Sequence, residues 1–458
     1  MQNKSVYYRA LKLAVPIMIQ NGITNAVGLV DHIMAGSIGT EAMTAVSIIG
    51  QLLFVFYLAI FGGLSGPGIY SAQFYGKGNT EGVRQSFRMK LLIAGTCTAA
   101  GILILCFGGE FLVGLYLHGE STEVDPALTT QYAMQYLMIM LFGLPAKSLT
   151  QVYAGTLRET GDSFKPMAAG IVSVLTDVVL NYLLIYGKFG FPQLGVRGAA
   201  LATVISRVTE VSLLLIWSHA KTASHPFLKG IWNTLHVPAE IRNVMLKKSI
   251  PIFCNEFMWA GGLAALTQCY SARGLHIVSG LNISNAICNL LNVVFVALGN
   301  AVGILVGQTL GSGEFGQAKR DSAALTWFTG GMCLILTAVL TAVSGLFPHL
   351  YDTSETVRHL ATQFIIVTAV FFPVQGILNS LYFTLRSGGK TLVTFLFDSV
   401  FSWTVTVPLA LFLCFCTALP VIVVYAIVQS ADLIKIAIGM ILIRKGVWIS
   451  NLAGEIAE

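Results

Sequence analysis

The chain has 458 residues, of which 27 are Lys or Arg and 21 are Asp or Glu. It is therefore 10% charged, against roughly 25% in an average soluble domain. It is also 55% apolar, with a mean hydropathy of +0.75. So few charges cannot clothe the surface of a soluble globule of this length, and neither disorder nor a coiled coil fits the composition. What remains is a polytopic membrane protein built from helices, because backbone polar groups in lipid must pair within their own segment.

Lys4, Arg9 and Lys12 precede the first apolar run. That run is too long for a signal-peptide core and passes through Gly22 and Asp31 without a small-residue cleavage site, so no cleaved leader is expected. A bilayer span needs about 20 apolar residues. Twelve such runs follow in order: 11–35, 43–70, 89–115, 129–152, 166–187, 196–218, 248–271, 277–306, 322–347, 357–384, 391–414 and 418–443. Glycine and charge mark the junctions, as in Gly76-Lys77-Gly78-Asn79, Thr160-Gly161-Asp162 and Ser387-Gly388-Gly389-Lys390. The longest junction, 219–247, is polar and basic.

Lys188, Arg197, Arg273 and Arg358 fall on one side of these spans, and twenty Lys/Arg fall on the side of the N-terminus. The positive-inside rule then places both termini in the cytoplasm of a multi-pass plasma-membrane protein. The net charge of +6 reports topology and not a nucleic-acid partner. The eight cysteines lie in or beside apolar runs with no Cys-x-x-Cys pair, and read as small buried hydrophobes.

The chain repeats itself. Pro16 and Pro251 open the first helix of each half, and Gln73-x-x-Gly76-x-Gly78 recurs as Gln308-x-x-Gly311-x-Gly313, both at an offset of 235 residues. Leu144-Pro145 recurs as Phe372-Pro373, and Thr156-Leu157-Arg158-x-x-Gly161 as Thr384-Leu385-Arg386-x-x-Gly389, both at 228. The expected fold is therefore an all-α membrane protein of twelve helices in two six-helix bundles, 1–218 and 248–458, joined by a cytoplasmic linker at 219–247. Six helices per half preserve orientation, so the bundles should be related by a pseudo-two-fold axis along the membrane normal, with a cavity between them. This is the architecture of a transporter.

A carboxylate in the hydrocarbon region costs several kcal/mol unless it is paired, protonated or hydrated. Arg207 and Glu210, and Asp432 and Lys435, lie three apart on their helices and should form internal salt bridges. Asp31, Asp177, Glu256 and Asp398 have no opposite charge within a turn. Asp177 falls about eleven residues, or roughly 16 Å, into its helix, with Asn181 one turn further along the same face. Such a stripe of oxygens suits Na⁺ or a shared proton. Asp31, Asp177, Asn181 and Glu256 are the candidate cation- or proton-binding residues. Asp398 is a weaker candidate because it sits near its helix end. Met34, Tyr57, Phe61, Met258 and Trp259 could line a cavity for a flat cationic ligand.

These residues resemble those of the multidrug and toxic compound extrusion (MATE) transporters. Val30-Asp31-His32-Ile33-Met34-Ala35-Gly36-x-x-Gly39 is similar to the family's helix-1 signature, and Pro16 matches the proline at which that helix bends. Asp177-x-x-x-Asn181-Tyr182, followed by Tyr186-Gly187-Lys188-Phe189-Gly190-Phe191-Pro192, resembles the helix 5–6 segment, with Asp177 where Asn is common. Pro251-x-x-x-Asn255-Glu256-x-x-Trp259 resembles the helix-7 segment that carries a cation-binding Glu. The resemblance implies secondary export of cationic or amphipathic small organic compounds against Na⁺ or H⁺, with no cofactor, no tightly bound metal and no nucleic-acid partner. A monomer suffices.

Two rivals remain at this stage. A lipid-linked oligosaccharide or lipid flippase of related topology would carry anionic cargo and favour several cations in its cavity, whereas only Lys147, Arg207 and Lys435 lie within spans. A membrane-embedded enzyme is unsupported. The chain has no His-Glu-x-x-His, no Gly-x-Ser-x-Gly, and no phosphate loop, because the Gly that would precede Gly389-Lys390-Thr391 is Thr384.

Overall fold

Apolar segments that find no hydrogen-bond partners in lipid close their backbone bonds on themselves, and among the described residues twelve long helices do so. The computed structural model describes residues 5–117, 125–220 and 225–455. The long helices are α1 Val6–Gly36, α2 Thr40–Lys77, α3 Thr80–Leu117, α4 Pro126–Glu159, α5 Phe164–Tyr186 and α6 Val196–Ala220. They continue as α7 Ala239–Ser271, α8 Leu275–Gly311, α9 Phe315–Val343, α10 Glu355–Ser387, α11 Thr391–Cys416 and α12 Val421–Arg444. No strand occurs among the described residues.

Eleven of the twelve are both long and apolar enough to cross a membrane. The exception is α7, which has the length, at 33 residues, but carries Asn255 and Glu256 at its middle and charged residues in its first turns. The other departure from the apolar runs lies at the helix ends. The ends of α2, α3, α4, α8, α9 and α10 that carry the repeated turns run three to nine residues past the apolar stretch. Short turns therefore join them, and glycine allows the reversals. Gly161 and its repeat counterpart Gly389 have φ of +90° and +69°, a left-handed backbone that residues with a Cβ rarely adopt.

Local chemistry sets several helix ends. Asp125 caps α4, its Oδ1 accepting from Ala127 N at 2.9 Å and Leu128 N at 3.3 Å, with Pro126 in the first helical position. The repeated prolines, Pro16, Pro145, Pro251 and Pro373, all lie inside helices, where each removes one backbone hydrogen bond. In α11 the residues Leu396–Val400 and Ser402–Thr406 form π turns.

The chain divides into two compact units. One comprises Ile19–Ser71 and Thr80–Asn243, the other Met1–Met18, Ala72–Asn79 and Val244–Glu458. The first turns of α1 and the last turns of α2 thus belong with the C-terminal helices. Ala10, Leu13, Ala14 and Ile17 of α1 pack in one core with Leu298, Ala301, Leu305 and Leu310 of α8 and with Trp448. Arg9 anchors the same segment by an ion pair to Asp321 at 3.3 Å. In the other unit, α5 and α6 approach so closely that a Cβ on Gly198 would lie 2.6 Å from the carbonyl oxygen of Leu184. The cysteines are all free. Cys269, Cys288, Cys333 and Cys414 are buried as expected, whereas Cys106, Cys254 and Cys416 are exposed on their helices.

Candidate functional site

In the unit holding α3 to α6, three of the expected residues meet. Asp31 lies five residues before the end of α1, and Asp177 and Asn181 lie one turn apart on α5. The Asn181 side-chain amide donates to Asp31 Oδ1 at 2.9 Å and reaches Asp177 Oδ2 at 3.4 Å. Asp177 and Asn181 are 6% and 1% exposed. Thr203 and Ser206 of α6 stand beside Asp177, but their hydroxyls donate to main-chain carbonyls of their own helix, Ala199 O and Thr203 O. Asp177 Oδ1 and Asn181 Oδ1 are left sealed from solvent without a hydrogen-bond partner. No Lys or Arg among the described residues lies within ion-pair distance of either carboxylate. Two carboxylates bridged by one amide, with buried acceptors unpaired, form a place for a small cation or a shared proton.

The expected ion pair between Arg207 and Glu210 does not form. Arg207 Nη2 donates to the hydroxyl of Tyr57, and the guanidinium lies over that ring, 5.4 Å from its centroid. Glu210 instead lies within the field of Arg158, whose Nη2 donates to Gln20 Oε1 at 2.6 Å. A spacing of three residues brings two side chains onto one face, and here other helices offer better partners.

The second acidic group lies in the other unit. Glu256 is buried on α7, with Arg386 attracting and Asp398 repelling its charge. The neighbouring Asn255 donates to Asp398 Oδ2 at 3.2 Å and to the Tyr382 hydroxyl at 3.3 Å. Ser399 donates to Asn255 Oδ1 at 2.7 Å. The expected Asp432–Lys435 pair is replaced. Lys435 Nζ binds Asp398 Oδ1 at 2.9 Å and sits within 5.9 Å of the ring centroids of Phe397 and Phe401. Asp432 accepts from Gln375 Nε2 instead. Asp398 is therefore a neutralised carboxylate, set in the π-helical part of α11, a feature frequent at functional sites.

The five aromatic and Met residues expected at a substrate cavity divide between the units. Met34, Tyr57 and Phe61 belong to one, Met258 and Trp259 to the other. The Tyr57 hydroxyl bonds to Arg207, and the Met258 carbonyl accepts from Trp403 Nε1 at 2.8 Å. Sequence reasoning missed Lys435, Asn255, Tyr382 and Arg386 as parts of one network. A signal for Arg386 was present, because it is the repeat counterpart of Arg158. Helix 1 remains helical through Pro16, and the boundary between the units falls two residues later, after Met18.

The MatE family model matches residues 16–183 and 251–412. The chain is 27% identical over 433 residues to the probable multidrug resistance protein YoeA of Bacillus subtilis, covering 93% of this chain and 90% of that one. Among solved structures, a MOP-superfamily transporter of Pyrococcus furiosus described as having a binding pocket of reverse polarity superposes with a TM-score of 0.85 at 17% identity, over 97% of this chain and 96% of that one. A mutant of the Vibrio cholerae MATE transporter VcmN gives 0.85 at 16% identity over 98% of each chain. At these identities the structures establish the fold, of twelve spanning helices in two bundles.

Proposed function

Because the chain belongs to the MatE family, a multi-pass membrane transporter family that performs no enzymatic reaction, we propose that it is a secondary active multidrug exporter in the plasma membrane. Cationic or amphipathic organic compounds leave as Na⁺ or H⁺ enters, with both termini in the cytoplasm. The observation that carries this reading is the Asp31–Asn181–Asp177 cluster, whose two carboxylates share one amide and have no basic partner at ion-pair distance among the described residues. With one proton shared between the two carboxylates, the site carries a single negative charge and holds one further positive charge. An entering cation or proton and a cationic drug thus compete for it, and that competition couples the two fluxes. Glu256 in the other unit offers a second buried carboxylate for the same exchange.

The route from neutralisation to movement runs along helix 1. Asp31 lies in one unit and the first turns of the same helix in the other. Pro16, which lacks the N–H that would bond the carbonyl of Lys12, weakens the helix close to that boundary. Losing the charge at Asp31 releases the Asn181 amide and lets the helix re-pack about Pro16.

The test is efflux of a cationic dye from proteoliposomes under an imposed Na⁺ or pH gradient. Efflux driven by either gradient without ATP supports the proposal. Efflux that needs ATP and ignores both gradients overturns it.

A further inference from the structure

Little packing holds the second half of α1. Among the described side chains of residues 21–36, Ala35 is the only buried one. Two hydrogen bonds tie this stretch to α5. One is the Asn181 amide on Asp31 Oδ1 at 2.9 Å. The other lies six residues on, where the hydroxyls of Tyr186 and Ser37 meet at 2.8 Å.

Local chemistry sets the direction of that second bond. The Ser37 hydroxyl has one proton, and it goes to Met34 O at 2.7 Å. Met34 O is a last-turn carbonyl of the kind a helix leaves unserved, because Ile38 N bonds Ala35 O instead, at 3.1 Å. Tyr186 is therefore the donor, and the chain Tyr186–Ser37–Met34 closes the end of α1 against the end of α5. Tyr182, one turn earlier on α5, packs against the Tyr186 ring with centroids 5.8 Å apart. Neutralising Asp31 frees Asn181 and leaves the Tyr186–Ser37 bond to hold the helix.

The other unit builds the equivalent junction differently. At the repeat offsets of 235 and 228, Ile38 corresponds to Arg273 and Tyr186 to Cys414. The Arg273 guanidinium donates to Cys414 O at 2.6 Å, to Leu413 O at 2.8 Å and to Thr417 O. Cys269 and Tyr270, at the end of α7, share a core with Leu413, Cys414 and Val424. Charge-assisted bonds are roughly twice as strong as neutral ones. One junction is thus clamped, and the other rests on a neutral hydroxyl bond at its rim.

We propose that the Tyr186–Ser37 bond is a releasable latch on the ion site, with Tyr186 a positioning residue that keeps Asp31 against Asn181. The inference rests on the export reading, which puts the ends of α1 and α5 on the outer side. With the latch made, Asp177 and Asn181 stay sealed, at 6% and 1% exposure. With it broken, the end of α1 leaves α5 and an external cation reaches the carboxylates. Losing one neutral hydrogen bond raises the open fraction about fivefold, and apparent cation affinity follows that fraction.

The test labels carboxylates of the purified full-length protein with a water-soluble carbodiimide and glycine ethyl ester, read by mass spectrometry. It also measures gradient-driven efflux of rhodamine B ethyl ester, a cationic dye, from proteoliposomes against external Na⁺ and pH. In Tyr186→Phe and in Ser37→Ala, Asp177 should label about fivefold faster than in the wild type, and Glu256 at the wild-type rate. Ser37→Thr should behave as the wild type, and the double variant Tyr186→Phe, Ser37→Ala should label no faster than Ser37→Ala. The half-saturating external Na⁺ or H⁺ concentration should fall about fivefold in both single variants. Three outcomes overturn the latch: Asp177 labelling unchanged in both, equal acceleration at Asp177 and Glu256, or a lower maximal efflux rate at an unchanged half-saturating concentration. The two readings fail separately. Faster labelling of Asp177 alone, in a protein whose efflux ignores both gradients, sinks the export reading and keeps the latch. Gradient-driven efflux with wild-type labelling in both variants does the reverse.

Discussion

Gly76 lies so close to Gln308 that a Cβ on the glycine would stand 1.9 Å from the Gln308 carbonyl oxygen, and Gly311 stands in the same relation to Gln73, also at 1.9 Å. The two halves of one repeated motif, Gln-x-x-Gly, therefore cross each other reciprocally at the ends of α2 and α8. Gln73 fixes the crossing further, its side-chain amide donating to Ser387 O at 2.9 Å and its Oε1 accepting from Leu452 N at 2.8 Å.

Either Gly76→Ala or Gly311→Ala should destabilise the protein. The added methyl meets a backbone carbonyl, which cannot rotate away as a side chain would, and overpacking of this kind costs about 1–3 kcal/mol. Gly95→Ala is the control, since nothing lies within 4 Å of its would-be Cβ. Thermal unfolding in detergent should show a lower Tm for the first two and none for the third. Equal Tm values across the three would refute the crossing.

Lys435→Met should destabilise strongly, because it leaves Asp398 without its ammonium while Asn255 still bonds it. Breaking a buried pair from one side costs about 3–5 kcal/mol, and the Asp398 side chain is 20% exposed, which places the effect at the lower end. The double variant Lys435→Met, Asp398→Leu should recover most of the loss. If the double variant is no more stable than the single, the ion pair is not the source.

Asp162 in the turn before α5 holds the linker. It pairs with Lys165 at 3.3 Å and with His225 at 3.5 Å. Burial pushes its carboxyl up, but the hydrogen bonds of His225 and Lys165 and the Lys165 charge outweigh that and bring it from 3.8 down to about 2. A folded value below the unfolded one gives stability that is complete above the ordinary carboxylate range and lost as pH falls from about 4 through 2. Linker undocking, read from the fluorescence of the nearby Trp232, should show that acid step in the wild type, and Asp162→Asn should abolish it. An unchanged step in the variant would assign it elsewhere.

The bilayer explains why so much of the fold was legible. It demands about 20 apolar residues per span, and twelve runs of that length are hard to hide. It says nothing of how far a helix continues beyond the hydrocarbon, so the extra turns at 71–77 and 80–88 were not visible. Partner choice was not visible either. Spacing along one helix shows which side chains can meet, but Lys435 chose Asp398, 37 residues away, and Arg207 chose Tyr57, 150 away. Both chose by packing. The convergence of Asp31 on Asn181, also 150 residues apart, was legible only through the family resemblance, whereas the shared face of Asp177 and Asn181 followed from helical period alone.

The central claim is competition for one negative site, and dye affinity as a function of cation most directly tests it. Binding of rhodamine B ethyl ester to the purified protein should weaken as pH falls or as Na⁺ rises. In Asp31→Asn, Asp177→Asn the dye should bind weakly at every pH and Na⁺ concentration while the variant keeps its Tm. A double variant whose dye affinity still follows the cation as the wild type does would contradict the account.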